Sequence, residues 1–262
     1  MGNVADYSRM GVNNPFDAPV YYIEETDTTM SDARLLAERG EPDGTVIFSS
    51  VQNSGRGRVP ERVWESSSHK SLLCTVLFRR KIDALPLKAG LAVARTYARL
   101  LPVKDEISVK WPNDVLFLGK KLAGILCESD GSTLFVGAGL NLSQKSFPAH
   151  LEDRATSLTL ARETFSEKSV FSPLPLPQDL LEIYLTELSV TLNDPLWNDK
   201  LSALLWKKNE TIRFIAGNPD SGEVITGRAV GIGTSGEFII DTGTIEQPKH
   251  QSFFSGEISW DL

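Results

Sequence analysis

The chain has 262 residues, of which 41% are hydrophobic and 23% charged, and its formal net charge is -7. These values are typical of a soluble globular protein with a full-sized core, built as one large domain or as a domain with a small appendage. The negative net charge gives no general attraction to nucleic acid or to an anionic membrane, so a bound polyanion requires a local basic site. No stretch approaches the ~20 apolar residues of a membrane span, and the N-terminus shows neither a secretory signal nor a transit-peptide pattern. We therefore predict a cytoplasmic protein that does not bind membranes.

Secondary structure follows in chain order from hydrophobic periodicity and turn residues. Residues 1–19 are polar, with scattered Gly, Asn and Pro, and are predicted to form a flexible arm. A strand over 20–24 precedes a helix from Ser31 to about Arg39, capped by Ser31 or, alternatively, by Thr28 or Thr29. The further elements predicted here are strands at 45–51 and 71–78, a helix at 87–101, strands at 107–111, 114–118, 121–128 and 133–140, an exposed Pro- and Ser-rich loop at 166–177, and helices at 178–193 and 196–206.

The composition changes after Asn209. Short β runs at 211–215, 223–232, 236–241 and 253–259 are separated by Gly-rich turns, and no convincing helix interrupts them. This length suits a small five-stranded barrel. The predicted fold class is α+β: a mixed sheet with helices over residues 20–208, followed by a small β-barrel over 209–262.

The cysteines and histidines give no sign of a catalytic or metal site. Cys74 and Cys127 lie in apolar runs and are predicted to be buried small hydrophobic residues, without a disulfide framework or a zinc site. His69, His150 and His250 lie far apart in polar stretches and are predicted to be at the surface. Catalysis by a histidine-centred triad is therefore not expected.

A glycine- and arginine-rich loop directly follows a predicted strand and reads Ser54-Gly55-Arg56-Gly57-Arg58. The glycines let main-chain N–H groups approach an anion closely. The arginines add fixed positive charge with forked donors that suit a phosphate. An anion site and a merely basic surface loop are both compatible with these five residues alone.

Two further segments place charged side chains at a hairpin. The first is Val109-Lys110-Trp111-Pro112-Asn113-Asp114, and the second is Lys120-Lys121-Leu122-Ala123-Gly124-Ile125-Leu126. Pro112 ends ladder hydrogen bonding, and Asp114 and Lys121 are close enough in sequence to pair across the turn. A lysine held near a phosphate loop would stabilise developing negative charge. The alternative is an exposed hairpin ion pair that contributes little.

The last segment is Val136-Gly137-Ala138-Gly139-Leu140-Asn141-Leu142, an apolar strand nearly without side chains over part of its length. Such a gap is typical of close approach by a ligand or by another backbone, and it also occurs in tight strand–helix packing.

Taken together and in this order, the motifs SxxxxGRGR, KWPND, KLAGIL, GAGLNL and a terminal FSGEISW closely resemble biotin–protein ligases. The resemblance runs from about Tyr22 to Trp260. It implies a mixed sheet related to class II aminoacyl-tRNA synthetases and lipoate ligases, followed by an SH3-like barrel. It also implies ATP, biotin and Mg²⁺ as ligands, and a biotin-accepting carboxylase domain as the partner; a homodimer is left open.

The resemblance assigns roles residue by residue. Thr28, Thr29 and Met30 match the segment that reads the biotin ring, and Lys121, not Lys120, matches the central lysine. The implied catalytic residues are Lys121, Arg56, Arg58 and Asp114. The implied biotin- and ATP-binding residues are Thr28, Thr29, Met30, Gln52, Gly55, Arg56, Gly57, Arg58, Trp64, Lys110, Trp111, Asn113, Lys121, Gly124, Gly137, Gly139 and Asn141. The implied metal ligands are Asn113, Asp114 and Asn141.

The chain departs from the family pattern in two places. The family loop continues GRGR-x-GR-x-W, whereas this chain has Val59-Pro60-Glu61-Arg62 before Val63 and Trp64, without the third glycine. Thr28 and Met30 replace the commoner Ser and Asn. The alternatives are a biotin-binding protein that has lost turnover, and a ligase for lipoate or octanoate. Because no helix-turn-helix domain fits in the first 20 residues, DNA binding and transcriptional regulation are not expected.

Overall fold

The computed structural model describes residues 7–59, 62–65, 68–102, 106–165 and 171–260. A large sheet forms the first part of the chain. Its strands are β1 (Ser8–Met10), β2 (Val20–Thr26), β3 (Val46–Gln52), β4 (Ser71–Phe78), β5 (Ile107–Lys110), β6 (Asp114–Phe117), β7 (Lys120–Ser129) and β8 (Leu134–Asn141). The helices are α1 (Thr29–Glu38), α2 (Leu85–Ala98), α3 (Leu158–Glu163), α4 (Pro177–Leu192) and α5 (Trp197–Ala203).

The eight strands lie in the order β1-β2-β3-β4-β8-β7-β6-β5, and the β2–β3 pair is parallel whereas the other pairs are antiparallel. The main core packs α2 and α4 against one face of this sheet, and a smaller core packs α1 against the other. The eight side chains of β4 are all buried, as expected for a central strand covered on both faces. In the described residues, no helix is both long and apolar enough to cross a membrane.

Helix α2 contains Gly90, which gives a stability prediction. A Cβ atom at Gly90 would meet only Val109 and Ile125 at 3.8 and 3.9 Å, which are ordinary contacts. Because glycine loses more backbone entropy than alanine on entering a helix, we expect Gly90→Ala to raise the free energy of unfolding by about 0.5–1 kcal/mol. Denaturant unfolding measures this change, and a lower free energy of unfolding would contradict the open space beside Gly90.

The second sheet follows in the chain and has the order β12-β11-β10-β9-β13. Its strands are β9 (Thr211–Ala216), β10 (Glu223–Ile232), β11 (Phe238–Asp241), β12 (His250–Phe253) and β13 (Gly256–Ile258). The α+β prediction, with a small all-β unit of five strands, is confirmed. The single run predicted at 253–259 is instead two strands, because the chain bends at Phe254 and Ser255, just before Gly256, whose φ is +143°.

Two local predictions differ from the structure, and one helix was not predicted. The flexible arm is wrong from residue 8 onward, since Ser8–Met10 pair with Val20–Tyr22 of β2, and residues 1–6 lie outside the described residues. Ser31 does not cap α1; Thr28 does, with its side chain accepting from the backbone N–H of Met30. Helix α3 was not predicted. Of the predicted loop at 166–177, residues 166–170 lie outside the described residues.

Candidate functional site

A cavity of about 580 Å³ opens against α1, β3, β4, β7 and β8. It collects most of the residues that the sequence singled out: Thr28, Thr29, Met30, Gln52, Arg56, Gly57, Arg58, Trp64, Asn113, Asp114, Lys121, Gly124, Gly137, Gly139 and Asn141 all line it. Three of the predicted ligand-binding residues, Gly55, Lys110 and Trp111, are not part of its wall. The predicted gathering of distant motifs at one place is therefore found, with these exceptions.

The glycine–arginine loop forms a narrow hairpin beside the cavity. The backbone N–H of Gly57 donates to Arg62 O at 2.7 Å, and the N–H of Trp64 donates to Gly55 O at 3.0 Å. A Cβ atom at Gly55 would lie 2.6 Å from Trp64 O, and one at Gly57 would lie 2.9 Å from Arg62 O. Both glycines are thus required by the close approach of the two hairpin arms. Pro60 and Glu61, where the sequence departs from the family loop, lie outside the described residues.

The glycines of β7 and β8 make a flat floor that carries Trp64. Gly124 and Gly139 are paired across the two strands. A Cβ atom at Gly139 would lie 2.5 Å from the Trp64 ring, and one at Gly124 would lie 2.8 Å from it. The indole N–H of Trp64 is buried and has no hydrogen-bond partner among the described residues. The predicted close approach at the glycine-rich strand is therefore made, in this state of the protein, by Trp64.

Lys121 and Asp114 form the predicted ion pair, with Lys121 Nζ 2.8 Å from Asp114 Oδ1. A bulge in the β6–β7 pairing and the short turn between these strands bring the two side chains to the same side. Lys121 Nζ also lies 5.3 Å from the centre of the Trp64 ring. The side chains are 31% and 13% exposed, so this pair is more enclosed than an ordinary surface ion pair. A fixed cation consequently faces the cavity.

The end of the cavity at α1 is polar and closely hydrogen-bonded. Gln52 Oε1 accepts from the backbone N–H of Thr29 at 2.8 Å and from its hydroxyl at 3.0 Å. The Thr29 hydroxyl also lies 2.8 Å from Thr75 Oγ1. Met30 reaches over Gly137, where a Cβ atom would lie 3.0 Å from the Met30 methyl group. The site can therefore hold a small ring with a polar edge.

Glu257 of the second sheet gathers three cations from the first part of the chain. Lys110 Nζ donates to Glu257 Oε1 at 3.2 Å and lies 4.7 Å from the centre of the Trp260 ring. Arg62 donates to Glu257 Oε2 at 2.7 Å, and Arg58 lies 3.5 Å from the same oxygen. Arg58 further donates to Gly256 O at 3.1 Å. Lys110 thus faces the second sheet and lies outside the cavity wall, so its role as a direct ligand-binding residue stays a prediction.

The charges around Glu257 set its pKa. Burial alone raises the pKa of the Glu257 carboxyl, but Lys110 and Arg62 outweigh this effect, and the pKa lies below its ordinary value of 4.5. Burial lowers the pKa of Lys110, which is 2% exposed. The carboxylate is therefore the partner that keeps a buried ammonium group and the hairpin in place.

We expect Glu257→Gln to lower the free energy of unfolding at neutral pH by about 3 kcal/mol, because Lys110 is left buried without its charge partner. The folded-state pKa of Glu257 is depressed, so its contribution is complete above about pH 4.5 and is lost as the pH falls through the folded-state pKa. Denaturant unfolding should show the difference between wild type and variant shrinking in acid. Glu246→Gln removes an exposed carboxylate and serves as the control; an equal, pH-independent effect of both changes would contradict this prediction.

Trp111 and Asn141 have structural partners that the sequence did not reveal. The indole N–H of Trp111 donates to Gly236 O at 3.2 Å, and its ring stacks on Phe238, so Trp111 joins the two sheets and does not contact the cavity. The Asn141 amide donates to Thr156 O at 3.0 Å, and Asn141 Oδ1 accepts from Gln144 at 3.0 Å. Both ends of this amide are engaged, so the predicted metal role of Asn141 is not supported.

Asn113 and Asp114 remain the oxygen donors suited to a hard cation. Asn113 Nδ2 donates to Ile125 O at 3.0 Å, so the oxygen end of the Asn113 amide is the end suited to a cation. Among the described residues, no group of three or more His, Cys, Asp or Glu could hold a metal ion. A cation at this place would therefore also need ligands from a bound molecule.

Cys74 and the three histidines lie as predicted, whereas Cys127, also predicted to be buried, is only half-buried. Cys74 is buried, and burial raises the pKa of its thiol to about 12. Cys127 is half-buried, and its thiol pKa is also raised by burial. All three histidines are exposed, but His150 also lines the cavity and its ring lies 3.0 Å from Glu65.

Several residues that line the cavity were missed by sequence reasoning, and two of them are polar and central to its contacts. Thr75 lines the cavity, and the available signal was a polar residue inside the otherwise apolar β4 run. Glu257 also lines it, and its signal was an acidic residue between Gly256 and Ile258 in a β run. Neither signal identifies a partner by itself.

The chain was compared with known proteins. The model of the biotin/lipoate A/B protein ligase family matches residues 20–142. The chain is 34% identical over 152 residues to the bifunctional ligase/repressor BirA of Bacillus spizizenii, which covers 53% of this chain and 46% of that protein. It is 37% identical over 145 residues to the biotin–[acetyl-CoA-carboxylase] ligase of Mycobacterium tuberculosis, which covers 52% of this chain and 53% of that protein. The chain thus spans about half the length of these curated relatives.

Among solved structures, the biotin protein ligase of Aquifex aeolicus in complex with biotin and ATP is similar over 92% of this chain and 97% of that one. The TM-score is 0.73 and the sequence identity is 27%. The similarity therefore includes both sheets.

Proposed function

We propose that the chain is an ATP-dependent biotin–protein ligase, since the biotin/lipoate A/B protein ligase family model matches residues 20–142 and the fold resembles that of the Aquifex aeolicus enzyme. It would join biotin to AMP and then pass the biotinyl group to a lysine of another protein. The observation that carries this proposal is the arrangement of the cavity: a polar end at Thr29 and Gln52 leads to a fixed ammonium group at Lys121, beside the arginine hairpin. One end suits a small polar ring, and the other suits phosphate.

In the first step, a carboxylate oxygen of biotin attacks the α-phosphorus of ATP, and the bond to pyrophosphate breaks. Two anions must approach each other, so the cations at the cavity offset their repulsion and stabilise the charge that develops. Lys121 is held by Asp114 for this role. Arg56 lies at the exposed side of the hairpin, with Ser31 Oγ at 3.5 Å, and is free to turn toward phosphate. Holding both substrates in one cavity supplies the orientation.

In the second step, the neutral amine of an acceptor lysine attacks the carbonyl carbon of the mixed anhydride, an amide bond forms, and AMP leaves. Asp114 is the candidate base for this step. Its ion pair with Lys121 makes the positioning of Lys121 its better-supported role, because the carboxylate already contacts the ammonium group at 2.8 Å. The arginine hairpin beside the cavity would shield the anhydride from water.

The oxygen donors of Asn113 and Asp114 fit Mg²⁺, which takes one or two protein oxygens together with substrate phosphates. When bound there, Mg²⁺ would neutralise phosphate charge. The acceptor we propose is the biotin-accepting domain of a carboxylase, in line with the name of the Mycobacterium tuberculosis relative. A reaction that consumes ATP also fits the cytoplasmic location expected from the sequence.

The test is exchange of labelled pyrophosphate into ATP by the purified chain, with biotin, lipoate or octanoate as the acid. We expect exchange with biotin alone. Exchange with lipoate or octanoate and not with biotin would show that the chain is a ligase for another acid. Folded protein that binds biotin without exchange would make it a binding protein. Transfer is then measured by mass spectrometry of an isolated biotin-accepting domain, which should gain one biotinyl group on one lysine.

A further inference from the structure

The polar end of the cavity contains a buried hydroxyl whose role the family resemblance did not supply. Thr75 lies in the middle of β4, is 1% exposed and lines the cavity. Its Oγ1 lies 2.8 Å from the hydroxyl of Thr29, a residue 46 positions away in the sequence. Facing it is Gly137, where an added Cβ atom would still lie 3.7 Å from Thr75 Oγ1. The Met30 methyl group covers Gly137 and would lie 3.0 Å from the added Cβ atom. A ligand reaches the Thr75 oxygen when this flexible thioether side chain moves aside.

The direction of the hydrogen bonds here follows from the backbone. The N–H of Thr29 can only donate, and it lies 2.8 Å from the side-chain atom of Gln52 that it contacts. That atom must therefore be the amide oxygen, and the Gln52 NH₂ group points the other way. The Thr29 hydroxyl lies 3.0 Å from the same oxygen, so its single proton is also donated to Gln52.

These hydrogen bonds determine the direction of the contact made by the Thr75 hydroxyl. Because the Thr29 proton is already used, the contact between the two hydroxyls requires Thr75 to donate to Thr29. The Thr75 hydroxyl has one proton, so toward the cavity it can only accept. The other end of the Gln52 amide, Nε2, can only donate. It lies near Gly55, since a Cβ atom added there would be 3.3 Å from it. The wall thus presents one obligate acceptor and one obligate donor.

We propose that Thr75 is a specificity-determining residue that accepts a hydrogen bond from an N–H group on the ring of the substrate acid. This inference rests on the proposed function and deepens it. A cyclic urea carries N–H donors and a carbonyl acceptor on one edge, which matches Thr75 and Gln52 together. A dithiolane ring carries neither, so the Thr75 oxygen would accept no hydrogen bond from it, and sites built to bond an N–H strongly reject ligands that lack it.

The experiment measures acid binding by calorimetry and the KM and kcat of pyrophosphate exchange for wild type, Thr75→Val, Thr75→Ser and Thr45→Val. Valine keeps the shape of threonine and removes the hydroxyl. Thr45 is equally buried, at 1% exposure, and its Oγ1 has no partner among the described residues, so Thr45→Val is the matched control. The ligands are biotin and the two cyclic carbamates in which one or the other ring N–H is replaced by oxygen.

We expect Thr75→Val to weaken biotin binding about 10- to 100-fold and to raise KM more than it lowers kcat. Serine should restore binding, and Thr45→Val should leave it unchanged. One of the two carbamates lacks the ring N–H that donates to Thr75. Wild type and Thr75→Val should bind that carbamate with equally low affinity, because neither can form this hydrogen bond. Unchanged biotin binding by Thr75→Val, or an equal loss with both carbamates, overturns the assignment. Wild type that binds biotin without exchange overturns the proposed enzyme activity and leaves the Thr75 test decisive through binding alone.

Discussion

Lys121→Ala should reduce biotin-dependent pyrophosphate exchange about 10²- to 10³-fold, which is the usual effect of removing one group that stabilises developing negative charge. Lys121 Nζ is held 2.8 Å from Asp114 Oδ1 at the cavity wall, so it needs no rearrangement to meet an incoming phosphate. The loss should fall on kcat more than on biotin binding, because the charge that Lys121 meets develops in the reaction. Initial exchange rates at saturating biotin and ATP measure it.

The adjacent residue provides the control. Lys120 is exposed, and its ammonium group donates to Glu152 O at 3.1 Å, away from the cavity wall. Lys120→Ala should therefore exchange pyrophosphate at the wild-type rate. Equal losses in the two variants would mean that general positive charge is needed, and full activity of Lys121→Ala would remove this residue from the mechanism. Calorimetric biotin binding by Lys121→Ala shows that the cavity is intact.

Gly139→Val should lower kcat/KM for biotin about 100-fold, since a displacement of about 1 Å at such a site has effects of this size. A Cβ atom at Gly139 would lie 2.5 Å from the Trp64 ring, so the indole must leave the glycine floor. Trp64 also contacts Lys121 through its ring face, and moving it changes the surroundings of the ammonium group. Steady-state exchange over a range of biotin concentrations measures the effect.

Two further variants separate this contact from a general loss of stability. Gly11→Val adds the same side chain where an added Cβ meets nothing within 4 Å, and should behave as wild type. If the clash with the indole is the cause, Trp64→Ala combined with Gly139→Val should be less impaired than the sum of the single changes. Strict additivity, or wild-type activity of Gly139→Val, would show that the floor tolerates a side chain.

The contacts that join the two sheets involve arginines that also border the cavity. Arg58 and Arg62 belong to the hairpin that borders the cavity, and both contact Glu257 of the second sheet. Phosphate entering the cavity would compete with Glu257 for these guanidinium groups. The stability and pH behaviour expected of Glu257→Gln therefore concern the same contacts that hold the hairpin.

The sequence by itself determined the parts of this protein that depend on neighbours along the chain. The short hairpin between β6 and β7 brings Asp114 and Lys121 together, and the glycines at 55 and 57 belong to one narrow turn. Short apolar runs bounded by turn residues marked the strands, and a change of composition marked the second sheet. These features follow from local geometry, which is why they could be predicted.

Only the tertiary structure decided which face of a strand meets which partner. Lys110 and Trp111 share a motif with Asp114, yet they face Glu257 and Gly236, which lie more than a hundred positions away in the sequence. Thr75 acquires its role only when β4 lies beside α1 and Thr29. A buried polar group must find a partner wherever packing places one. That placement depends on the assembly of the whole sheet, and no pattern of neighbouring residues encodes it.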